Sequence, residues 1–488
     1  MHSILAGGAS RGSQGSQLRP ERTHHNRHRR PAVSIAIVVT LLALTTGCGA
    51  RWSAAQRAEV VGRTSGAGTT GGTARAGSSG ATGPASSGAT GGSQTTGGGT
   101  NGGGAATDGG GATAASGPLP CSAPADAPGV TNDTITVGNI SSLSGPIPGL
   151  GASAVGATRS YIAYLNANGG VCGRKVELKT ADDGVDNGQF RSEFSDMAPN
   201  VLGFVGQDGG GDAGGADLAE SQKVPIVTSA FSTQFKNVST VFAINPPFRD
   251  TSQSIGKYKY YYEQGARKAA IVYIAVDQSR DQIENTEKPL MQAAGIQIVS
   301  EQPLPLSTLN YDSAARTVAN SGADYMLFLG GYEQNSSMAT SMAGTGYKLK
   351  FAEYFTTYGT NFIDLAGSAA EGAISWAFAL PVEDGGANPE QAKFLQWMGQ
   401  VAPDAPLDVF ADEAWASSKA FFDALQQLPG PISRDALIAQ LRTFTNYDAD
   451  GFYGRVNLGG KDNFGCYVGM QVANGAWRRL APAQGFLC

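Results

Sequence analysis

The sequence predicts an α/β protein made of two doubly wound, Rossmann-like lobes. Three observations carry this. Residues 134–183 read as strand, helix, strand. A β-branched run, Ile135–Ile140, leads through a Ser/Gly/Pro loop at 141–151 to small and apolar residues at helical spacing (Ala154, Ala157, Tyr161, Tyr164, Leu165), and the run Lys175–Thr180 closes the unit. Later apolar runs are short and nearly continuous, as expected for strands covered on both faces. Finally, the same alternation of strand and helix starts again after residue 250.

Taken in order, Asn168, Gly169 and Gly170 stop the first helix, because glycine enters the left-handed conformation at little cost. A helix at 189–199, a strand at 201–206, a Gly-rich loop at 207–215, a helix at 216–223 and strands at 224–229 and 241–245 complete the first set. A helix opened by Asp250 carries Tyr258, Tyr260, Tyr261 and Tyr262, which read as packing residues. The second set has strands at 269–276, 296–300, 325–329 and 349–354, with helices at 280–294, 311–321 and 335–343. A strand at 372–380 returns toward the first lobe, followed by helices at 389–401, 410–428 and 433–444. Gly-Phe-Tyr-Gly turn chemistry and a strand occupy 451–458, and strands at 466–472 and 476–479 end the chain. Trp376, Trp397 and Trp415 read as core residues. Asp182-Asp183 reads as a strand-end turn and helix cap, not a catalytic pair.

The segment before the ordered part has its own character. Arg27, Arg29 and Arg30 precede an apolar run, Ala32–Leu44, the layout of a signal peptide over 1–47. The run ends in Leu-Ala-Leu-Thr-Thr-Gly-Cys, so Cys48 is a candidate lipidation site; a secreted form cleaved nearby, or an uncleaved anchor, are the alternatives. Residues 48–125 are dominated by Gly, Ser, Thr and Ala and are expected to be a disordered tether. No downstream segment is long and apolar enough to span a membrane.

Removal of 1–47 takes away six arginines and one glutamate, leaving 29 basic and 39 acidic residues and a net charge of −10. An acidic chain without basic runs argues against nucleic acid as a partner. All four histidines, at positions 2, 24, 25 and 28, leave as well. The commonest general base and transition-metal ligand are then missing, which argues against an enzyme, a metal site or a cofactor. Cys121, Cys172, Cys466 and Cys488 form an even set in an exported chain, and of the three possible pairings Cys121–Cys172 and Cys466–Cys488 each fall within one lobe.

Several of these residues together resemble the type I periplasmic binding proteins, in particular the leucine/isoleucine/valine-binding branch that serves ABC importers. The matching residues are Leu143-Ser144-Gly145-Pro146 after the first strand, Gly151 and Gly156, Asn166, the stretch 168–178, Asp182-Asp183, the runs 201–206 and 224–230, and the strand-loop ending at Tyr332. The likeness spans 126–488. It implies two lobes joined by three crossing segments, near 245–250, 371–376 and 456–460, with ligand in the cleft between them. Lobe 1 would hold 126–248 with 376–457, and lobe 2 would hold 249–375 with 458–488.

The resemblance also implies a site. Ser144 in the first loop, Asp208 and Gly209 in the third, Ser229, Ala230 and Ser232 in the fourth, and Tyr332 and Glu333 from the second lobe are the candidate ligand contacts; Tyr358 is a weaker one. Asp208 could hold an ammonium group and would repel a carboxylate. The expected function is extracytoplasmic capture of a small polar ligand, an amino acid or a related amide or carboxylate, by a lipid-anchored, monomeric protein that feeds an ABC permease. An extracellular sensor acting through a separate membrane receptor is the alternative. A secreted hydrolase fits poorly, since neither Ser229 nor Ser232 has a histidine to activate it.

Overall fold

The computed structural model describes residues 127–145, 151–245 and 255–488. The signal peptide, Cys48, the tether and Cys121 lie outside the described residues. Strands β1 (Thr134–Ser141), β2 (Lys175–Asp182), β3 (Phe204–Val205), β4 (Ile226–Thr228) and β5 (Val241–Ala243) form one sheet in the order β2-β1-β3-β4-β5, with every pair parallel. Its crossovers include helices α1 (Ala152–Ala167), α2 (Asn187–Met197), α3 (Ala216–Ser221) and α4 (Thr233–Asn237). β3 and β4 are shorter than their apolar runs. Gly206 explains the end of β3. It has φ +60, and a Cβ there would lie 2.3 Å from Thr158 Oγ1, so the chain turns away from the ladder under α1.

The second set contains α5 (Gly256–Glu263), β6 (Lys268–Ile274), α6 (Asp277–Gln282), a π-helical turn (Ile283–Glu287), α7 (Lys288–Ala293), β7 (Gln297–Leu304), α8 (Asp312–Ser321), β8 (Tyr325–Leu329), α9 (Tyr332–Thr345), β9 (Phe351–Tyr354), α10 (Phe362–Ala366) and β10 (Ala373–Ala377). Helices α11 (Pro389–Val401), α12 (Val409–Gln426) and α13 (Arg434–Leu441) follow. A two-stranded ladder of β11 (Val456–Asn457) and β12 (Asp462–Asn463) comes before β13 (Val468–Ala473) and β14 (Ala476–Ala481). The second sheet runs β14-β13-β10-β9-β8-β6-β7. Its strands from β7 to β10 are parallel, and β13 pairs antiparallel with both β10 and β14. Asn474-Gly475 joins that last hairpin, and both residues have positive φ, as a two-residue primed turn requires.

Helices α11 and α12 follow the second sheet in sequence but pack on the first. Tyr161 of α1 meets Trp415 of α12 edge to face at 4.9 Å, a contact contributing about 0.5–1.5 kcal/mol beyond area burial. Gly156 lets α1 approach the turn after α11, since a Cβ there would sit 3.0 Å from Ala405 Cβ. On the other face of the first sheet, Phe190, Phe194, Phe204 and Phe235 make a separate core. The segment 371–376 is not a crossing: 373–377 is paired with β9 and β13 inside the second sheet, so the chain leaves that sheet after Ala377. Cys466 and Cys488 form a disulfide. Cys172 is also disulfide-bonded.

Candidate functional site

Open parallel sheets bind ligands beyond the carboxyl ends of their strands, where the strand order reverses. Here the order reverses between β1 and β3 in the first sheet and between β6 and β8 in the second. A cavity of about 220 Å³ lies where these edges meet. Its lining comes from the loop after β4 (Ser229, Phe231), from the ends of β6 and β8 (Ile274, Val276, Leu329), and from β10 and α12 (Trp376, Phe410, Glu413). The π turn adds Thr286 and Glu287 to the wall. Thr356, also lining, has φ +54, an uncommon conformation for a β-branched residue.

The loops on the first-lobe side are held by their own carboxylates and amides. Asp212 accepts the N–H of Phe231 at 2.6 Å and of Ser232 at 3.0 Å. Asn245 accepts the N–H of Ala230 at 3.1 Å and donates back to its carbonyl at 2.9 Å. Asp183 ties the Gly-rich loop to β1, taking the Ser142 hydroxyl at 2.6 Å and the Gly211 N–H at 2.9 Å. Asp182 accepts the N–H groups of Leu143, Ser144 and Gly184. Both aspartates are therefore turn residues, while the cap of α2 is Asp186, which accepts the Gln189 N–H at 2.8 Å.

Carboxyl groups crowd this side. Asp208, Asp212, Asp408, Asp412 and Glu413 are all buried. Burial pushes Asp212 and Asp408 up to about 6 and Glu413 up to about 7. Ser229, Lys236 and Tyr453 restrain the rise of Glu413. Burial, then Glu413, Asp408, Asp183 and Asp212, hold Asp208 well above the carboxylate range. Neither Asp208 carboxyl oxygen has a hydrogen-bond partner among the described residues. Burial brings Lys236 down to about 7, against the pull of Glu413 and Asp212.

On the second-lobe side Lys257 donates to Glu353 at 2.9 Å and to Glu287 at 3.4 Å. Burial acts to lower Lys257, but Glu287 and Glu353 outweigh it and raise the ammonium group. Tyr258 donates to Glu287, Tyr325 donates to Glu353 at 2.7 Å, and Gln282 donates to Glu287 at 2.9 Å. Lys257 and Glu287 line the cavity beside Tyr467.

Among the candidate contacts, Ser229 lines the cavity. Ala230 lies beside it, with its backbone groups engaged by Asn245. Ser232 caps α4 by accepting the Phe235 N–H at 3.1 Å. Asp208 is buried behind the wall, and Gly209 packs against Asp183. Ser144 and Glu333 are exposed and Tyr332 is half-buried; none of the three is a lining residue, although Gly331 and Gln334 beside Tyr332 and Glu333 are. Tyr358 is buried; it donates to Glu383 at 2.6 Å and accepts the Val382 N–H at 2.8 Å. Sequence reasoning missed Lys257, Glu287, Phe410 and Glu413. The available signal was a charge inside an apolar run, as at Glu413 within 409–426 and Glu353 within 351–354.

Comparison with known proteins agrees with this architecture. Residues 134–476 match the family described as periplasmic binding protein. A Leu/Ile/Val-binding protein homolog from Brucella abortus is 24% identical over 313 residues, covering 61% of this chain and 78% of that protein. A fatty acid ABC transporter substrate-binding protein from Thermomonospora curvata superposes with a TM-score of 0.61 at 22% identity, covering 74% of this chain and 94% of that one. The branched-chain amino acid transporter substrate-binding protein of Streptococcus pneumoniae, solved with isoleucine, gives 0.60 at 16% identity, covering 72% and 100%. These structures share the type I periplasmic-binding-protein fold with this chain, and both are binding proteins. No helix among the described residues is long and apolar enough to cross a membrane. With residues 134–476 matched by the family model, across both sheets and the cavity between them, the chain belongs to the periplasmic binding protein family.

Proposed function

We propose that this protein is an extracytoplasmic solute-binding protein that captures a small molecule with an apolar body and one polar head and delivers it to an ABC importer. The observation that carries this reading is the wall of the inter-sheet cavity. Phe231, Ile274, Leu329, Phe355, Trp376 and Phe410 surround it, while polar groups gather at Ser229, Glu413, Lys257 and Glu287. Concave sites of this kind use apolar walls for affinity and a few polar groups for orientation. At about 220 Å³ the space is below the ~300–1,000 Å³ of larger ligand sites, which points to a compact solute.

Ligand would stabilise the closed arrangement, which the permease distinguishes from the open one. The relatives, a Leu/Ile/Val-binding protein homolog, a fatty acid substrate-binding protein and a branched-chain amino acid substrate-binding protein, support an apolar cargo. Lipidation at Cys48 would keep the protein at the outer face of the membrane as a monomer. No catalytic role is assigned.

A thermal-shift screen of the purified protein against apolar amines, apolar amino acids, short-chain acids, sugars and polyamines tests the reading. A ligand at 100 times its Kd adds about 2.7 kcal/mol of stability. At least one class with an apolar body should raise the midpoint, and Phe410→Ala should cut that effect by about half or more. A response to sugars alone, or to nothing, overturns the reading.

A further inference from the structure

The donors and acceptors around the cleft are unevenly matched. An anionic head group needs N–H or O–H donors, and those at the first-lobe edge are already engaged. The Ala230 N–H goes to Asn245, and the N–H groups of Phe231 and Ser232 go to Asp212. The first-turn N–H groups of α12, from Phe410 and Ala411, go to Asp408 at 3.1 and 3.0 Å. Across the cleft, Lys257 lies between two carboxylates. Acceptors are in surplus: Glu413 and Glu287 line the cavity, and Asp208 stands behind with both oxygens unpartnered among the described residues. Of seven buried carboxyl groups on these elements (Asp208, Asp212, Glu287, Glu353, Asp408, Asp412, Glu413), Glu287 and Glu413 line the cavity, and the buried ammonium groups paired with members of this set are Lys236 and Lys257.

We propose that the cleft selects a small apolar amine, its ammonium group held by Glu413, and rejects molecules that present a carboxylate, zwitterionic amino acids included. This rests on the cleft being the ligand site, as argued above. A carboxylate entering beside Glu413 would find no free backbone donor in the 230–232 loop and, above about pH 7, would face like charge from Glu413 itself and from Asp408 in the segment leading into α12. An ammonium group supplies the donors that the first-lobe edge lacks, and charge-assisted bonds of this type are the strong ones.

The titration of Glu413 supports the same reading. Burial holds it up to about 7, and the groups facing it are Ser229 from the β4 loop, Lys236 from α4, Tyr453 from the segment after α13, and Asp208, Asp408 and Asp412. Bound ammonium lowers that value, so binding releases a proton and affinity falls as pH drops below about 7.

Calorimetric titration of the full chain with 3-methylbutylamine, leucine, 4-methylpentanoate and 3-methylbutanol, repeated with the phenylethyl analogues, separates the possibilities. The amine should bind at least about tenfold more tightly than the amino acid, the acid and the alcohol, because the acid and the alcohol lack the ammonium donor and the amino acid adds a carboxylate for which the 230–232 loop has no free donor. Glu413→Gln should weaken amine binding by about tenfold or more, with Glu413→Asp recovering part of it and both variants melting cooperatively. Leucine, acid or alcohol binding as tightly as the amine overturns amine selectivity and leaves the solute-binding reading standing. Amine binding unchanged in Glu413→Gln overturns the assigned head-group contact. Absence of binding by every compound overturns the cleft as a ligand site, and this inference with it.

Discussion

Lys257 and Glu353 meet at 2.9 Å with both side chains almost wholly enclosed, at 5% and 1% exposure. Removing one member leaves a buried charge uncompensated, which costs about 3–5 kcal/mol. Lys257→Met should therefore lower the urea midpoint by that equivalent. The combined change Lys257→Met, Glu287→Gln, Glu353→Gln should recover much of the loss, because no isolated charge remains. A single variant as stable as the parent contradicts the network's role.

The buried carboxyls set a pH dependence. Asp212 and Asp408 stand at about 6 and Glu413 at about 7, while their unfolded counterparts titrate near 4. Between about pH 4 and pH 7 the folded chain thus binds more protons than the unfolded one. Stability falls as pH rises through this window, each group contributing roughly 1.4 kcal/mol for every tenfold difference in proton affinity between the folded and unfolded chain. Above about pH 7 Lys236 acts in the opposite sense, since its folded value is depressed. The melting midpoint of the purified protein should be several degrees higher at pH 5 than at pH 7, and Asp208→Asn should reduce the difference. A midpoint that rises over that interval rules this out.

The C-terminal disulfide closes a loop with a sequence separation of 22. Restriction of the unfolded chain by a loop of that length contributes about 3 kcal/mol. Cys488→Ser should show this loss under oxidising conditions, and reduction of the parent should cost at least as much, since it also breaks the bond at Cys172. Identical unfolding curves for parent and variant would show that the bond adds nothing.

Positions in and out of the cavity wall should separate in binding. Phe231 and Phe410 have ring centroids 6.4 Å apart on the first-lobe side. Phe410→Ala removes an apolar wall and should weaken ligand roughly tenfold or more, in line with losing a buried aromatic contact. Glu333→Gln and Ser144→Ala, both at exposed positions outside the lining, should leave affinity within about twofold, as surface changes usually do. Loss of binding in either of those two would move the site toward the rim of α9 or the β1 loop.

Much of the fold was legible in the chain because local rules govern it. Apolar runs such as 325–329 and the capped helix at 389–401 coincide with their elements. The alternation of strand and helix allowed only a parallel sheet twice over, apart from the closing hairpin at Asn474-Gly475. The absence of histidine after residue 28 likewise needed no structure. What the sequence could not determine was which polar groups remain available once the loops close on one another. Ser232 and Ala230 look like ligand contacts in a linear reading, yet Asp212 and Asn245 take their N–H groups from 20 and 15 residues away. Glu413 reads as one more charge on a helix until α12 packs on the first sheet and brings it to the cavity. Strands and helices follow from short-range periodicity. The cleft's charge depends on which residues distant in sequence meet in a low-dielectric space, and only the tertiary structure decides that.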